Sequence, residues 1–194
     1  MIQFIYQNSK LKGENKMKRI LVLLGSPRQK GNTALMAEAF IKGAREAGNS
    51  VTAYSIGKRE IRPCKACDYC QKHGGECVQK EDMRELYELL QSHDTLVMAS
   101  PVYYLGMPGN LKNVIDRTYA ESAKGRKIKY AALLTAACKK ESEVTEVLND
   151  YYRRLTAYLG WEDKGMVNAL GVENPGEIEN TCWLKEAYEL GKNI

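Results

Sequence analysis

Four of the six cysteines in this 194-residue chain lie within fourteen residues, in the segment CKACDYCQKHGGEC. Their spacing, C-x2-C-x2-C-x6-C, is formed by Cys64, Cys67, Cys70 and Cys77. Four thiolates can hold a [4Fe–4S] cluster, and three cysteines at intervals of three residues are a common way to surround one. Tetrahedral zinc sites more often use two separated C-x-x-C pairs. The spacing therefore favours iron and sulfide over zinc, and a redox-active or vestigial set of thiols is the third interpretation.

The residues around these cysteines fit a compact loop. Gly74 and Gly75 accept positive φ freely, so they would let the chain turn back and bring Cys77 to the other three cysteines. The two remaining cysteines, Cys138 and Cys182, are expected to be ordinary buried thiols. Three lysines could offset the negative charge of the thiolates and stabilise a reduced cluster: Lys65, Lys72 and Lys80.

A second segment with chemical potential is GSPRQKGNT, residues 25–33, which follows an apolar run and leads into an amphipathic one. Free N–H groups at a helix start, together with the side chains of Ser26, Asn32 and Thr33, could cradle a phosphate, and Arg28 adds positive charge. The segment matches neither G-x-x-x-x-G-K-S/T nor G-x-G-x-x-G, which favours a single terminal phosphate over a nucleoside triphosphate or a dinucleotide. An ordinary capped turn would use the same residue types.

The elements that must position these loops alternate regularly. Continuous apolar runs of strand length are typical of strands buried on both faces of a parallel sheet, and amphipathic segments separate them. The alternation predicts an α/β fold with a doubly wound, five-stranded parallel sheet and a cysteine loop, residues 61–80, inserted after the second strand. The predicted strands are residues 17–26, 50–56, 94–100, 129–136 and 165–172. The predicted helices are residues 32–48, 81–93, 107–122, 142–160 and one from about Glu177.

Length and composition predict one folded domain, residues 17–194, preceded by an N-terminal extension, residues 1–16. The net charge of +5 is spread along the chain, whereas nucleic-acid binding needs a denser basic footprint. No apolar run approaches the roughly 18 residues that cross a bilayer, and residues 1–16 lack the pattern of a signal peptide. We therefore expect a cytoplasmic protein with no membrane or nucleic-acid partner. Because that compartment is reducing, structural disulfides are not expected.

Two motifs carry a resemblance to a known family. LVLLGSPRQKGNT, and ASPVYYLGMPGNLKNVIDR after the third strand, resemble the flavodoxin-like NADPH-dependent FMN reductases, and the resemblance covers residues 17–190. It implies a flavodoxin-like sheet in which the first loop holds the FMN phosphate and the second lies along the isoalloxazine ring. The phosphate residues would be Ser26, Arg28, Asn32 and Thr33. The ring residues would be Pro101, Val102, Tyr103, Tyr104 and Gly106, with Thr135 in a third contacting segment.

The chemistry of the second loop agrees with this resemblance, because a flavin needs backbone N–H donors at its polar edge and an apolar or aromatic wall along its ring. An ordinary turn whose tyrosines cover the core edge is the alternative. Lys112, Asp116 and Arg117 also match the family pattern. On a helix, we expect them to form surface ion pairs.

The cysteine loop resembles that of the iron–sulfur flavoproteins, a subgroup of the same family. The resemblance implies that the four cysteines ligate a [4Fe–4S] cluster that exchanges electrons with FMN. FMN would then reduce a quinone or another small acceptor, so no catalytic side chain is expected. The electron donor would be NAD(P)H or a ferredoxin-type protein, and the chain would form a homodimer or homotetramer. Two alternatives are a cluster-free NAD(P)H-dependent FMN or quinone reductase and a non-enzymatic flavodoxin-like carrier.

Overall fold

A computed structural model describes residues 17–194, so the predicted extension, residues 1–16, lies outside the described residues. The sheet contains β1 (Arg19–Leu24), β2 (Ser50–Ser55), β3 (Thr95–Pro101), β4 (Tyr130–Ala136) and β5 (Glu162–Ala169). All paired strands are parallel, and their order is β2-β1-β3-β4-β5. The predicted doubly wound, five-stranded parallel sheet is thus confirmed. This order places the topological switch point between β1 and β3, where sheets of this kind bind their ligands.

Helices cover both faces of the sheet. The described residues contain α1 (Asn32–Glu46), α2 (Tyr69–Lys72), α3 (Met83–Ser92), α4 (Gly109–Arg117), α5 (Glu121–Lys124), α6 (Glu143–Leu159) and α7 (Trp183–Lys192). None of these helices is long and apolar enough to cross a membrane.

Most predicted boundaries differ from the structure by one or two residues, and three elements differ more. The fifth strand begins at Glu162 rather than at residue 165. The helix predicted over residues 107–122 is divided by a 3-10 turn, Thr118–Ala120, into α4 and α5. The last helix begins at Trp183, because a separate 3-10 turn, Glu177–Asn180, precedes it.

The alternation of side chains along β1 shows how the sheet divides the core. Ile20 and Val22 belong to the apolar layer that α1 and α7 cover. Leu21 and Leu23 belong to the layer on the opposite face, which α3, α4 and α6 cover. All four side chains are fully buried. A strand that is buried on both faces must be apolar at every position, which explains the continuous apolar run in its sequence.

The helices α1 and α7 pack with their backbones in direct contact. A Cβ atom added to Gly43 would lie 2.1 Å from the carbonyl oxygen of Tyr188. A Cβ atom added to Gly191 would lie 2.1 Å from the carbonyl oxygen of Phe40. Because these neighbours are backbone atoms, they cannot move aside as a flexible side chain could. Glycine is therefore required on both sides of this helix crossing.

We expect Gly43→Ala to lower the free energy of unfolding by about 1–3 kcal/mol, the usual cost of overpacking, because α1 and α7 would have to separate. Urea unfolding of the variant and the wild-type protein measures this difference. Gly109→Ala, in the first turn of α4, is the matched control, since an added Cβ there meets nothing within 4 Å. Equal midpoints for both variants would contradict the close helix contact.

Candidate functional site

The carboxyl ends of β1, β3 and β4 surround a cavity of about 260 Å³, which we call the strand-end cavity. It lies at the switch point of the sheet, where the loops after β1 and β3 diverge. Seven of the ten predicted cofactor-binding residues line it: Ser26, Arg28, Asn32, Thr33, Pro101, Val102 and Tyr103. The fold therefore brings the candidate phosphate residues together with three of the candidate ring residues.

The start of α1 supplies this cavity with hydrogen-bond donors. The residue before the helix, Gly31, makes no side-chain cap, and its carbonyl accepts the N–H groups of Ala34 and Leu35. The N–H groups of Asn32 and Thr33 have no acceptor within residues 17–194. Free N–H groups at the positive end of a helix are suited to binding an anion.

The side chain of Asn32 is already bonded inside the protein. Its Nδ2 donates to the carbonyl oxygen of Asn174 at 2.9 Å, and its Oδ1 accepts the N–H groups of Gly176 at 3.1 Å and Ile178 at 3.3 Å. Asn32 thus ties the segment after β5 to the start of α1. In this arrangement the group that Asn32 offers to an anion is its backbone N–H, not its side chain.

The segment after β5 forms another wall of the strand-end cavity, which the sequence did not indicate. Its conformation depends on Glu177, whose carboxylate accepts hydrogen bonds from Asn174 Nδ2 at 2.7 Å and from the N–H groups of Glu173 at 2.7 Å and Asn174 at 3.0 Å. The Asn174 side chain, and then these backbone groups, hold the pKa of Glu177 below its usual value. The carboxylate therefore stays ionised, and the wall stays in place, at neutral pH.

Gly57 packs closely against the loop after β1. A Cβ atom added to Gly57 would lie 2.5 Å from the Cα atom of Pro27 and 2.8 Å from the carbonyl oxygen of Ser26. The side chain of Asn110 also fixes this loop, since its Nδ2 lies 3.3 Å from the carbonyl oxygen of Gly25. Neither residue was identified from the sequence, because each acts through a contact with a distant segment.

The loop after β3 continues into a tight hairpin. The N–H of Tyr103 donates to the carbonyl oxygen of Gly106 at 2.9 Å, and the N–H of Gly106 donates to the carbonyl oxygen of Tyr103 at 3.0 Å. Between them, Tyr104 and Leu105 have φ values of 47° and 65°, which are unfavourable for residues other than glycine. The side chain of Tyr104 is fully exposed. Tyr104 and Gly106 therefore lie beyond the residues that line the strand-end cavity.

The hairpin also determines which backbone donors remain for a ligand. The N–H groups of Val102, Tyr103 and Gly106 are all donated to carbonyl oxygens, that of Val102 to Ala136 at 2.9 Å. Those of Tyr104 and Leu105 have no acceptor within the described chain. Free donors on this loop are thus found at its strained tip.

The segment after β4 contributes through residues other than the predicted Thr135. Thr135 is fully buried, and its hydroxyl donates to Asn168 Oδ1 at 2.6 Å. Ala136 and Cys138 line the cavity instead. The expectation that Cys138 and Cys182 are buried is wrong, since both are exposed. Each lies in a loop or at a helix start rather than inside the core.

All four clustered cysteines line one second cavity, which we call the cysteine cavity. Cys64 and Cys67 are exposed, whereas Cys70 and Cys77 are half-buried and pack against the apolar core. Gly74 and Gly75 have φ values of 57° and 85°, so the loop turns back at the expected glycines. The cavity that these cysteines line is small, about 30 Å³. In residues 17–194, no three Cys, His, Asp or Glu side chains form a group that could hold a single metal ion.

The backbone between the first three cysteines is strained. Ala66 has a φ of 50° and Asp68 a φ of 53°, and both therefore occupy the left-handed region. Such conformations cost about 1–3 kcal/mol each and persist only where the surroundings enforce them. Hydrogen bonds hold the loop at its middle and at its base. Gln71 Nε2 donates to the carbonyl oxygen of Tyr119, and Gln79 Nε2 donates to that of Pro63, both at 3.0 Å.

Arg117 departs most clearly from the sequence-based expectation. Lys112 and Asp116 do form an exposed ion pair at 2.6 Å, but Arg117 is only 2% exposed. Its Nη2 lies 2.8 Å from Glu81 Oε1 and 3.3 Å from the Sγ atom of Cys77. The prediction of a surface ion pair is therefore wrong for Arg117. Of the three lysines expected to balance the thiolates, only Lys65 lines the cysteine cavity.

Helix α4 follows the loop after β3 and ends at Arg117, which lines the cysteine cavity. It begins at Gly109, directly after that loop. Nine residues in α-helical conformation span about 13 Å, at about 1.5 Å per residue.

Comparison with known proteins agrees with this geometry. The family model described as NADPH-dependent FMN reductase matches residues 18–159. An iron-sulfur flavoprotein of Archaeoglobus fulgidus is 36% identical over 176 residues, which cover 89% of this chain and 76% of that protein. Alignments with further proteins of that name span about half of each chain.

Two solved structures have the same fold. An NAD(P)H:quinone oxidoreductase from Methanothermobacter marburgensis superposes with a TM-score of 0.72 at 22% identity, covering 91% of this chain and 96% of that chain. An FMN-dependent NADH-azoreductase from Bacillus anthracis, in complex with FMN, superposes with a TM-score of 0.64 at 18% identity, covering 90% and 98%.

We expect Gly57→Ala to weaken FMN binding about tenfold, or about 1.4 kcal/mol, because the added methyl group would push the Ser26–Pro27 backbone out of place. The dissociation constant is measured by titrating the apoprotein with FMN and following flavin fluorescence. Lys58→Ala is the control, since this side chain belongs to the same turn but is exposed. Unchanged affinity in Gly57→Ala would show that the position of this loop does not limit binding.

Proposed function

Since this chain belongs to the NADPH-dependent FMN reductase family and is therefore a flavin-dependent oxidoreductase, we propose that it exchanges electrons between a [4Fe–4S] cluster in the cysteine loop and FMN in the strand-end cavity. The observation that carries the proposal is that all four clustered cysteines line one cavity at the end of α4, whose other end follows the candidate flavin loop. The acceptor would be a quinone or another small oxidant.

The strand-end cavity fits the phosphate end of FMN. The free N–H groups of Asn32 and Thr33 and the hydroxyl groups of Ser26 and Thr33 are donors for phosphate oxygens. Arg28 is the one basic side chain among the lining residues. These groups would bind and orient the cofactor through its phosphate.

The loop after β3 fits the ring of FMN. An apolar and aromatic wall is provided by Pro101, Val102 and Tyr103. The hydrogen-bond donors closest in sequence to this wall are the free N–H groups at the hairpin tip. We propose that the Tyr104 side chain, Gly106 and Thr135 act less directly. The first two shape the hairpin, and Thr135 fixes the β4 end through Asn168.

The grouping of the four cysteines favours a cluster over a single ion. In a zinc site, four sulfurs lie about 2.3 Å from one metal atom and therefore converge on a point. In a [4Fe–4S] cluster, each cysteine sulfur binds a different iron, so the sulfurs surround the cluster. Cys64, Cys67, Cys70 and Cys77 all line one cavity, and within residues 17–194 no three such side chains form a group for a single ion, which supports them as the four cluster ligands.

The two groups would supply different chemistry when bound, since a [4Fe–4S] cluster passes one electron at a time and FMN handles one or two. The protein's part is to position them. The buried face of the cysteine loop, at Cys70 and Cys77, packs against the core that α4 shares. Electrons would therefore cross packed protein rather than water. The donor would be a ferredoxin-type protein or NAD(P)H, and a homodimer or homotetramer would be the assembled form.

A cluster-free NAD(P)H-dependent reductase is the second candidate. It is favoured by the exposure of the hairpin tip, which leaves the ring side of the strand-end cavity open to a second ligand. Steady-state assays distinguish the two functions. Rapid oxidation of NADH or NADPH by protein that holds FMN but no iron would establish the reductase. Reduction only by a ferredoxin-type donor would support the cluster protein, or a carrier if no small acceptor is turned over.

We expect anaerobically purified protein to contain FMN and about four irons per chain, and Cys70→Ala to lose the iron while retaining FMN. Iron, sulfide and zinc analysis, together with the visible spectrum, measures both. Cys182→Ala is the matched control, because this exposed cysteine is not among the residues of the cysteine cavity. Wild-type protein that is colourless and takes up no FMN would contradict the proposed function. Equal iron loss in both variants would contradict the ligand assignment.

A further inference from the structure

We propose that Arg117 is a positioning residue that holds the Cys77 sulfur in place and sets the reduction potential of whatever cluster that sulfur ligates. This inference rests on the proposed function, since it concerns the cluster of the cysteine loop. It adds a residue outside the cysteine motif, in the helix that leads away from the candidate flavin loop. The sequence would have placed this charge on the surface.

The guanidinium of Arg117 bridges the cysteine loop and the body of the protein. Nη2 donates to Cys77 Sγ at 3.3 Å and to Glu81 Oε1 at 2.8 Å, and Nη1 donates to the carbonyl oxygen of Arg62 at 2.9 Å. Arg62 and Glu81 lie on the two segments that enter and leave the loop. A second hydrogen bond joins these segments, since the N–H of Arg62 donates to Glu81 Oε2 at 2.8 Å.

The arginine is held rigidly. The side chains of Arg117 and Glu81 are 1% and 0% exposed. Tyr87 contacts Arg117 twice, since its hydroxyl donates to the Arg117 carbonyl at 3.2 Å and accepts from Arg117 Nε at 3.3 Å. Four residues thus hold Arg117 in place: Arg62, Cys77, Glu81 and Tyr87.

The contact distinguishes Cys77 from the other cysteines. The remaining donors to these sulfurs are neutral, namely the N–H of Ala66 toward Cys64 at 3.5 Å and the Gln71 amide toward Cys70 at 3.7 Å. A charged donor makes a hydrogen bond that is roughly twice as strong as a neutral one. In a buried site its field is also screened less than at the surface. Cys77 is therefore the ligand whose environment the protein controls most strongly.

The direction of the effect follows from charge. Adding an electron makes a cluster more negative, so a nearby positive charge stabilises the reduced form and raises the reduction potential. Glu81 acts in the opposite direction because its carboxylate lies against the same guanidinium. Arg117 and Glu81 should therefore shift the potential with opposite signs. If the pair only held the fold together, losing either partner would disturb the site in the same way.

The test compares Arg117→Gln with Glu81→Gln in anaerobically purified protein that retains FMN and cluster. We expect Arg117→Gln to disfavour one-electron reduction of the cluster about tenfold, which is a decrease of about 59 mV. We expect Glu81→Gln to raise the potential. Electron paramagnetic resonance during a redox titration measures both shifts. Arg154→Gln is the matched control, since it removes a positive charge from an exposed ion pair and should leave the potential unchanged.

Arg117→Gln leaves a buried carboxylate without its partner and can fail to fold. The double variant, Arg117→Gln with Glu81→Gln, avoids this problem. Compared with Glu81→Gln alone, it isolates the charge of Arg117, and we expect the lower potential in the double variant. Equal potentials in this pair, or shifts of the same sign in the two single variants, would overturn the inference while leaving the proposed function intact. Wild-type protein without iron would overturn both.

Discussion

The parallel pairing of β1 with β3 is the constraint on which the rest of the site depends. The register aligns Leu24 with Ala99, and one further bond, from the N–H of Gly25 to the carbonyl oxygen of Ala99 at 2.8 Å, extends the ladder into the loop. The loops after β1 and β3 therefore leave the sheet at the same level. Because the helices that follow these loops, α1 and α4, lie on opposite faces of the sheet, a cleft opens between the loops at this position. The candidate phosphate and ring residues meet only for this reason.

The anion-binding side of the cleft is built from backbone and supported by distant segments. Its donors are free N–H groups at the start of α1, which any sequence of suitable conformation could provide. The protein determines where these groups lie through close contacts: Gly57 packs behind Ser26 and Pro27, and the Asn32 amide joins the segment after β5. A binding site of this kind tolerates changes in the residues that face the ligand better than changes in those that support the loop.

The cysteine loop differs from the anion-binding side of the cleft, because its own backbone is strained at Ala66 and Asp68. The strain persists because hydrogen bonds close the loop at its base and a buried ion pair, Arg117 with Glu81, lies beneath it. Buried ion pairs contribute little net stability, since desolvation offsets much of the attraction. What this pair provides is a fixed arrangement around one sulfur. The same pair anchors the loop to the end of α4.

The sequence alone determined the parallel sheet and the places of the two candidate cofactor loops in the strand order. Each of these follows from local patterns, because a run such as that of β1 must be apolar at every position when both faces are covered. Only the tertiary structure decided that Arg117 is buried, that Cys138 is exposed and that the Asn32 side chain is engaged within the protein. The burial of a side chain depends on which distant segments pack against it. No periodicity or spacing within the segment itself can encode that.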